Sequence, residues 1–203
     1  MTSFSHWDGM ITRTWKLLAS IPSHGSVAKS LVLKSKRIVA KWAPPPPGHF
    51  KLHFDGASRG NPGLAGAGMA IFYHNAILIA TQCHALGSHS NNFAECQALS
   101  LGVDLAISLG IKHLSIQGDS MVVIQSVMNC RSNCWHLKYL IDHILEKLSF
   151  FDTFVLSHCF RELNKVADFL ADLAIDLAAI HKNIVVGDIP QELLFGYMSH
   201  SSV

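Results

Sequence analysis

The chain has 203 residues, 49% hydrophobic and 15% charged, which is enough apolar material for a sizeable core and excludes wholesale disorder. Its length favours one domain with an extension. The net charge is +2, and no stretch approaches about 18 unbroken apolar residues, which excludes a membrane span. The N-terminus lacks a basic flank followed by an apolar run, so we expect no secretory signal.

Positive charge is concentrated at the N-terminal end. Residues 1–49 contain seven Lys/Arg against one acid, and the rest of the chain contains nine Lys/Arg against thirteen acids. This asymmetry favours contact with a polyanion, and a plain solvated basic segment is the alternative. The run Pro44–Pro47 predicts a stiff spacer. We predict four parts: a basic extension (1–43), a proline-rich linker (44–49), a domain (50–181) and a tail (182–203).

Five scattered cysteines argue against a disulfide framework and favour a reducing compartment. Cys130, Cys134 and His136 could form half a zinc site, but no second pair completes it, so structural thiols are favoured.

The extension contains seven serines, which permits an organelle transit peptide. Its early part has few arginines, so we favour a non-targeting extension and expect an intracellular location, in the nucleus or cytoplasm.

The predicted domain opens with strands. Alternation over 50–55 predicts a strand with one face in a core. Residues 57–68 are rich in glycine, with a turn at Asn61-Pro62, and residues 69–73 and 77–83 predict two further strands. The first three strands are therefore expected to form an antiparallel meander.

Helical periodicity begins at Asn92, with Asn91 or Asn92 as the cap and Gly110 as the end. The remaining predicted elements are a strand over 113–117, helices over 121–128 and 137–148, a strand over 153–157 and a helix over 163–179. The order βββαβααβα predicts a mixed α/β sheet covered by helices.

Acidic residues recur at the ends of these elements. Asp55 and Asp119 follow strands, Glu95 is expected in the first turn of a helix, and Asp168 lies near the start of another. Clustered carboxylates require cations, and oxygen ligands suit Mg²⁺ or Mn²⁺, of which two ions could support phosphodiester hydrolysis. Periodicity cannot establish that these acids converge, and four unrelated surface acids remain the alternative.

Four motifs carry a resemblance to a known family. Phe54–Gly63 resembles the opening of a type 1 ribonuclease H domain, and Asn91–Glu95, Gly118–Ser120 and His158–Asp168 resemble its later motifs, in the same order and with similar spacing. Trp42-Ala43-Pro44 and Lys51-Leu52 resemble the plant reverse-transcriptase-like group.

The resemblance implies a ribonuclease H-like α/β fold with a five-stranded mixed sheet flanked by helices. It implies endonucleolytic hydrolysis of the RNA strand of RNA/DNA hybrids. Carried over by motif, the metal ligands are Asp55, Glu95, Asp119 and Asp168, which would hold two Mg²⁺ ions, with Mn²⁺ as an alternative. His158 matches a mobile histidine that assists proton transfer or product release. We expect a monomer with no small-molecule cofactor.

The resemblance also implies substrate contacts. These are close backbone approach along the Gly56–Gly63 loop, minor-groove contacts from Asn61, Asn91 and Asn92, and a DNA-phosphate contact from Ser90. A tight turn and a helix cap are the competing interpretation of these residues.

Two departures from the family pattern affect substrate binding. Met121 stands where many relatives place a glutamine that touches a base edge, and the basic helix-loop protrusion of some bacterial members is missing. We therefore hypothesise that the basic extension supplies phosphate contacts.

Two other functions remain open: a catalytically silent nucleic-acid-binding module derived from a retroelement, and a protein-interaction domain suggested by Phe195 and Met198.

Overall fold

The computed structural model describes residues 11–15, 35–39, 42–129, 135–180 and 185–186. The chain divides into two compact units, Met1–Trp42 and Ala43–Val203. In the first unit, strand β1 (Ile11–Trp15) pairs antiparallel with strand β2 (Ser35–Val39). The residues of the half zinc site that was set aside in favour of structural thiols (Cys130, Cys134 and the side chain of His136) and the tail residues Phe195 and Met198 lie outside the described residues.

One mixed sheet forms the framework of the second unit. Its strands are β3 (Phe50–Gly60), β4 (Gly63–Tyr73), β5 (Leu78–His89), β6 (His113–Gly118), β7 (Thr153–His158) and β8 (Val185–Val186). They lie in the order β7-β6-β3-β4-β5-β8, with β6 parallel to β3 and β7 parallel to β6. The predicted antiparallel meander and five-stranded mixed sheet are confirmed. The predicted tail contributes β8, which adds a short strand beside β5.

Helices cover both faces of this sheet. They are α1 (Asn91–Ser108), α2 (Met121–Met128), α3 (Trp135–Leu148) and α4 (Lys165–Ile180), with a 3₁₀ turn at Arg161–Leu163 before α4. Within the part of the chain that the structure describes, no helix is long and apolar enough to cross a membrane.

Two hydrophobic cores lie on opposite sides of the sheet. One contains Leu52 and Phe54 of β3 together with residues of α1, α2 and α3, and the other joins β4 and β5 to Leu170 and Ala174 of α4. The prediction that β3 places one face in a core is therefore confirmed. Lys51, His53 and Asp55 are also buried, because α4 and the turn before it cover the second face.

The glycine-rich stretch is a β-hairpin, since β3 continues to Gly60 and β4 begins at Gly63. The predicted turn at Asn61-Pro62 is confirmed, whereas the extension of the strands into the flanking glycines was not predicted and has a packing reason. A Cβ at Gly68 would overlap the backbone carbonyl oxygen of Ala167, and one at Gly66 would overlap that of Ala171. Glycine at these positions allows the backbone of α4 to lie directly on β4.

The ends of α1 differ in how well the sequence predicts them. Ser90, and not Asn91 or Asn92, is the N-cap, and its Oγ accepts a hydrogen bond from the Phe93 N–H at 3.4 Å. Glu95 therefore lies in the second turn. Gly110 ends the helix as predicted, with φ +69° and a hydrogen bond from its N–H to the carbonyl of Ile107, as in a Schellman motif.

The proline-rich segment is the first part of the second unit. Pro45 is buried, and the N–H of His49 donates to the carbonyl of Pro46 at 3.0 Å. The ammonium group of the buried Lys51 donates to the carbonyl of Ala43 at 2.5 Å. These contacts hold residues 43–49 on the sheet as a docked segment.

Candidate active site

Asp55 and Asp119 meet where two parallel strands separate. The pairing of β3 with β6 ends at His53 and Gln117. Asp55 lies two residues beyond that pair in β3, and Asp119 directly follows β6. Carboxyl ends of parallel strands form a crevice at one edge of a sheet. The alternation that brings His53 to one face of β3 brings Asp55 to the same face.

Glu95 reaches this crevice because α1 packs closely on β3 at Gly56. A Cβ at Gly56 would overlap the backbone nitrogen of Glu95, so a larger residue would push the helix away. The N–H of Gly56 donates a hydrogen bond to the Glu95 carboxylate. Gly56 is buried. Its backbone was expected to approach the substrate closely, and in the structure it approaches α1.

The structure brings three of the four predicted metal ligands into one cluster. One carboxylate oxygen from each of Asp55, Glu95 and Asp119 lies within 4.8 Å of the others. Asp55 and Glu95 are each 5% exposed. Oε2 of Glu95 is buried without a hydrogen-bond partner, although buried carboxylate oxygens are ordinarily paired. A buried, unpartnered oxygen on a member of this cluster of oxygen donors fits a divalent cation such as Mg²⁺ or Mn²⁺.

Electrostatics in the cluster favour the same interpretation. Burial raises the pKa of Asp55 well above the usual carboxyl range, and the charges of Glu95 and Asp119 raise it further. Burial also raises the pKa of Glu95, with Asp119 adding to the shift, while the Gly56 N–H and the charge of Arg161 oppose it. Holding all these groups ionised together therefore requires positive charge in the crevice.

Asp168, the fourth predicted ligand, lies beside the cluster and is engaged by Arg161. It occupies the first turn of α4, and its Oδ1 lies 2.7 Å from Nη2 of Arg161. Its charge still reaches the site, because it contributes to the raised pKa values of Asp55 and Glu95. Asp168 is therefore near enough to interact with the three clustered acids, but it lies outside the 4.8 Å group that they form.

His158 ends β7 at the rim of the crevice. It is exposed, and its Nε2 lies 3.2 Å from the backbone carbonyl oxygen of Asp119. A carbonyl only accepts hydrogen bonds, so Nε2 is the donor in this contact. The ring of Phe160 meets the His158 ring edge to face at 6.0 Å. The structure thus places an imidazole side chain next to the acidic cluster.

The predicted substrate-binding residues lie at the start of α1 and the tip of the β3–β4 hairpin. Asn61, Asn91 and Asn92 are exposed, and Oδ1 of Asn61 accepts a hydrogen bond from the N–H of Asn91 at 3.1 Å. Ser90 is half-buried and caps α1. These contacts are those of a tight turn and a helix cap, which was the competing interpretation of these residues. The side chains of Asn91 and Asn92 are exposed to solvent.

Two buried residues next to the cluster were not identified by sequence reasoning. Asn164 donates from Nδ2 to the carbonyl of Phe54 at 2.8 Å and to Oδ1 of Asp119 at 3.4 Å. His53 lies on the other side of the same amide, and burial lowers the pKa of His53 to about 4, so its ring is neutral. The available signals were a histidine on the face of β3 that carries Asp55 and an asparagine inside the fourth motif.

Comparisons with known proteins agree with this geometry. A family model described as reverse transcriptase-like matches residues 53–174. Ribonuclease HI of Halobacterium salinarum is 32% identical over 140 residues, which make up 68% of this chain and 70% of that protein. Its crystal structure aligns with a TM-score of 0.62 and covers 64% of this chain and 99% of that chain.

Two further relatives extend the comparison. One is LC11-RNase H1, whose crystal structure was solved in complex with an RNA/DNA hybrid. Its sequence is 26% identical to this chain, and the structures align with a TM-score of 0.60 over 64% of this chain and 99% of that chain. An Arabidopsis thaliana protein named for ribonuclease H is 30% identical over 158 residues, which make up 75% of this chain and 25% of that protein. The chain spans about a quarter of that plant relative. The chain belongs to the reverse transcriptase-like family and carries a type 1 ribonuclease H domain.

Proposed function

We propose that this protein hydrolyses the RNA strand of RNA/DNA hybrids as a metal-dependent endonuclease, and that it acts as a monomer. The observation that carries the proposal is the convergence of Asp55, Glu95 and Asp119 from three separate segments, with one Glu95 oxygen buried and unpartnered. Membership of the ribonuclease H group supports the choice of substrate, as does the hybrid complex of LC11-RNase H1.

In this proposal Asp55, Glu95, Asp119 and Asp168 would hold two Mg²⁺ ions, and Mn²⁺ could replace them. Bound divalent ions would polarise the scissile phosphate and lower the pKa of an attacking water. Asp168 would exchange its contact with Arg161 for the shared site. The exposed His158 would move a proton at the rim, a role that suits imidazole because its ordinary pKa lies near neutrality.

Hybrid recognition would use the exposed surface beside the cluster. Asn61, Asn91 and Asn92 would contact the minor groove, where 2′-hydroxyl groups distinguish the RNA strand from the DNA strand. The half-buried Ser90 would contact a DNA phosphate at the N-terminus of α1, where free backbone N–H groups favour an anion.

A cleavage assay tests the proposal. The wild-type protein and Asp119→Asn would be incubated with a labelled RNA/DNA hybrid, with Mg²⁺ and then with a chelator. We expect internal RNA cleavage only by the wild type with Mg²⁺. Asp152→Asn, at an exposed position away from the cluster, is the matched control and should cleave normally. Wild-type binding without cleavage would reject the proposal in favour of a silent nucleic-acid-binding module.

A further inference from the structure

A buried hydrogen-bond network lies behind the carboxylate cluster and has no role in the function proposed above. The side chains of His53 and Asn164 are almost fully buried, with 2% and 1% of their surfaces exposed. Nδ1 of His53 lies 3.1 Å from Oδ1 of Asn164. Nδ2 of Asn164 contacts the Phe54 carbonyl at 2.8 Å and Oδ1 of Asp119 at 3.4 Å. The network therefore links the interior of β3 to a candidate metal ligand.

The chemistry of the partners fixes the orientation of every group in this network. A backbone carbonyl and a carboxylate accept hydrogen bonds, so the amide nitrogen of Asn164 must face Phe54 and Asp119. A flipped amide would place its oxygen against two other acceptors. With the nitrogen so placed, Oδ1 faces His53, and because Oδ1 accepts, Nδ1 of His53 must carry the proton.

We propose that His53, as the Nδ1–H tautomer, is a positioning residue that orients Asn164 and through it the carboxylate of Asp119. This inference rests on the proposed function and deepens it. Asp119 directly follows a strand end and stands beside two other carboxylates, whose repulsion would turn it away. Hydrogen bonds behind a ligand set its orientation, and their removal commonly weakens metal affinity or activity about 10- to 100-fold.

A matched pair of variants at His53 separates the effect of losing the hydrogen bond from the effect of changing the shape of the side chain. His53→Asn keeps a donor near the position of Nδ1, and His53→Leu has a similar size without a donor. For His53→Leu we expect the Mg²⁺ concentration at half-saturation to rise about 10- to 100-fold, measured by titration of backbone amide NMR shifts. We also expect kcat to fall with KM for the hybrid unchanged, and His53→Asn to recover most of both effects.

The tautomer of His53 can be measured in the wild-type protein, without a cleavage assay and without a variant. Nitrogen-15 NMR of the imidazole in the wild-type protein should show the proton on Nδ1 of His53. Finding it on Nε2 alone would overturn the proposal even if His53→Leu fails to fold. Wild-type Mg²⁺ affinity in a folded His53→Leu protein, or equal weakening in both variants, would also overturn it. A wild-type protein that binds Mg²⁺ and shows the tautomer but does not cleave hybrid would contradict the proposed function alone.

Discussion

The carboxyl groups of Asp55 and Glu95 are held together although the charge of Glu95 disfavours the ionised form of Asp55 and the charge of Asp119 disfavours the ionised form of both. Burial is the main cause of their raised pKa values, and the neighbouring acids add to it. Without a cation, the folded protein therefore takes up protons that the unfolded chain would release. The site thereby lowers the stability of the protein at neutral pH, a cost that is common where function requires unfavourable neighbours.

This electrostatic cost predicts how stability depends on pH. The pKa of Glu95 is raised from 4.5 to about 8, so within this interval the native state binds more protons than the unfolded state. The free energy of unfolding should then fall as pH rises from about 5 to about 8 in the presence of a chelator. Glu95→Gln should flatten this fall and raise stability near pH 8 by about 1 kcal/mol or more. Urea unfolding at several pH values measures the effect.

A control variant and the addition of Mg²⁺ test whether the pH dependence of stability comes from the carboxylate cluster. Asp152→Asn removes an exposed carboxylate away from the cluster and is the matched control variant. Mg²⁺ should stabilise the wild-type protein near pH 8, because a ligand of the native state adds to the free energy of unfolding, and it should stabilise Glu95→Gln less. A wild-type profile that rises between pH 5 and 8 would contradict this account of the cluster.

The clustered acids could be proposed from sequence, whereas the groups that support them could not. Asp55, Glu95 and Asp119 lie in short motifs whose order and spacing resemble a family. His53 and Asn164 are separated by 111 residues, and a hydrogen bond between such distant positions leaves no periodic signal. The contact of Asp168 with Arg161 is likewise set by side-chain geometry before α4, which residue type does not specify.

At the scale of elements, backbone contacts determine where the acids lie. Gly56 allows α1 to touch β3 and brings Glu95 to Asp55, and Gly66 and Gly68 allow α4 to rest on β4. Sequence periodicity identified these helices and strands in the correct order. It misjudged the extent of β3 and β4, because glycine is ordinarily a turn signal and here serves close packing.

Gly68 and Gly102 provide a matched test of this packing. Gly68→Ala should lower the free energy of unfolding by about 1–3 kcal/mol or more, because the new methyl group meets the backbone of α4. In Gly102→Ala the methyl group meets only the end of the Leu52 side chain, and alanine favours a helix by about 1 kcal/mol, so this variant should be destabilised less than Gly68→Ala. Urea denaturation compares them, and equal destabilisation would contradict backbone overlap as the cause.

At the scale of the whole molecule, charge is divided between the two units. The first 42 residues contain seven Lys/Arg and one acid, and in β1 and β2 Arg13 pairs directly with Arg37. Like charges at directly opposed positions destabilise an antiparallel pair, and a polyanion would relieve that repulsion. Composition revealed this division, whereas the docking of the proline-rich segment depends on the buried Lys51 and required the structure.

The basic extension should therefore strengthen hybrid binding in a salt-dependent way. In an Asp119→Asn background, in which we expect no cleavage, deletion of residues 1–42 should weaken binding. It should also make the plot of log affinity against log salt shallower by about 0.9 for each phosphate that the extension neutralises. Replacing Lys29, Lys34, Lys36, Arg37 and Lys41 with glutamine should reproduce much of this effect at full length. Unchanged affinity and salt slope in both proteins would refute the prediction.

The hydrogen bond between Lys51 and Ala43 has a mechanical consequence. Tension applied to the chain from its N-terminal side would load this bond and the buried Pro45 before it reached the first pair of the central ladder. The candidate active site begins only four positions further along the same strand. Residues 43–49 would therefore bear such a load before the part of β3 that carries Asp55 did.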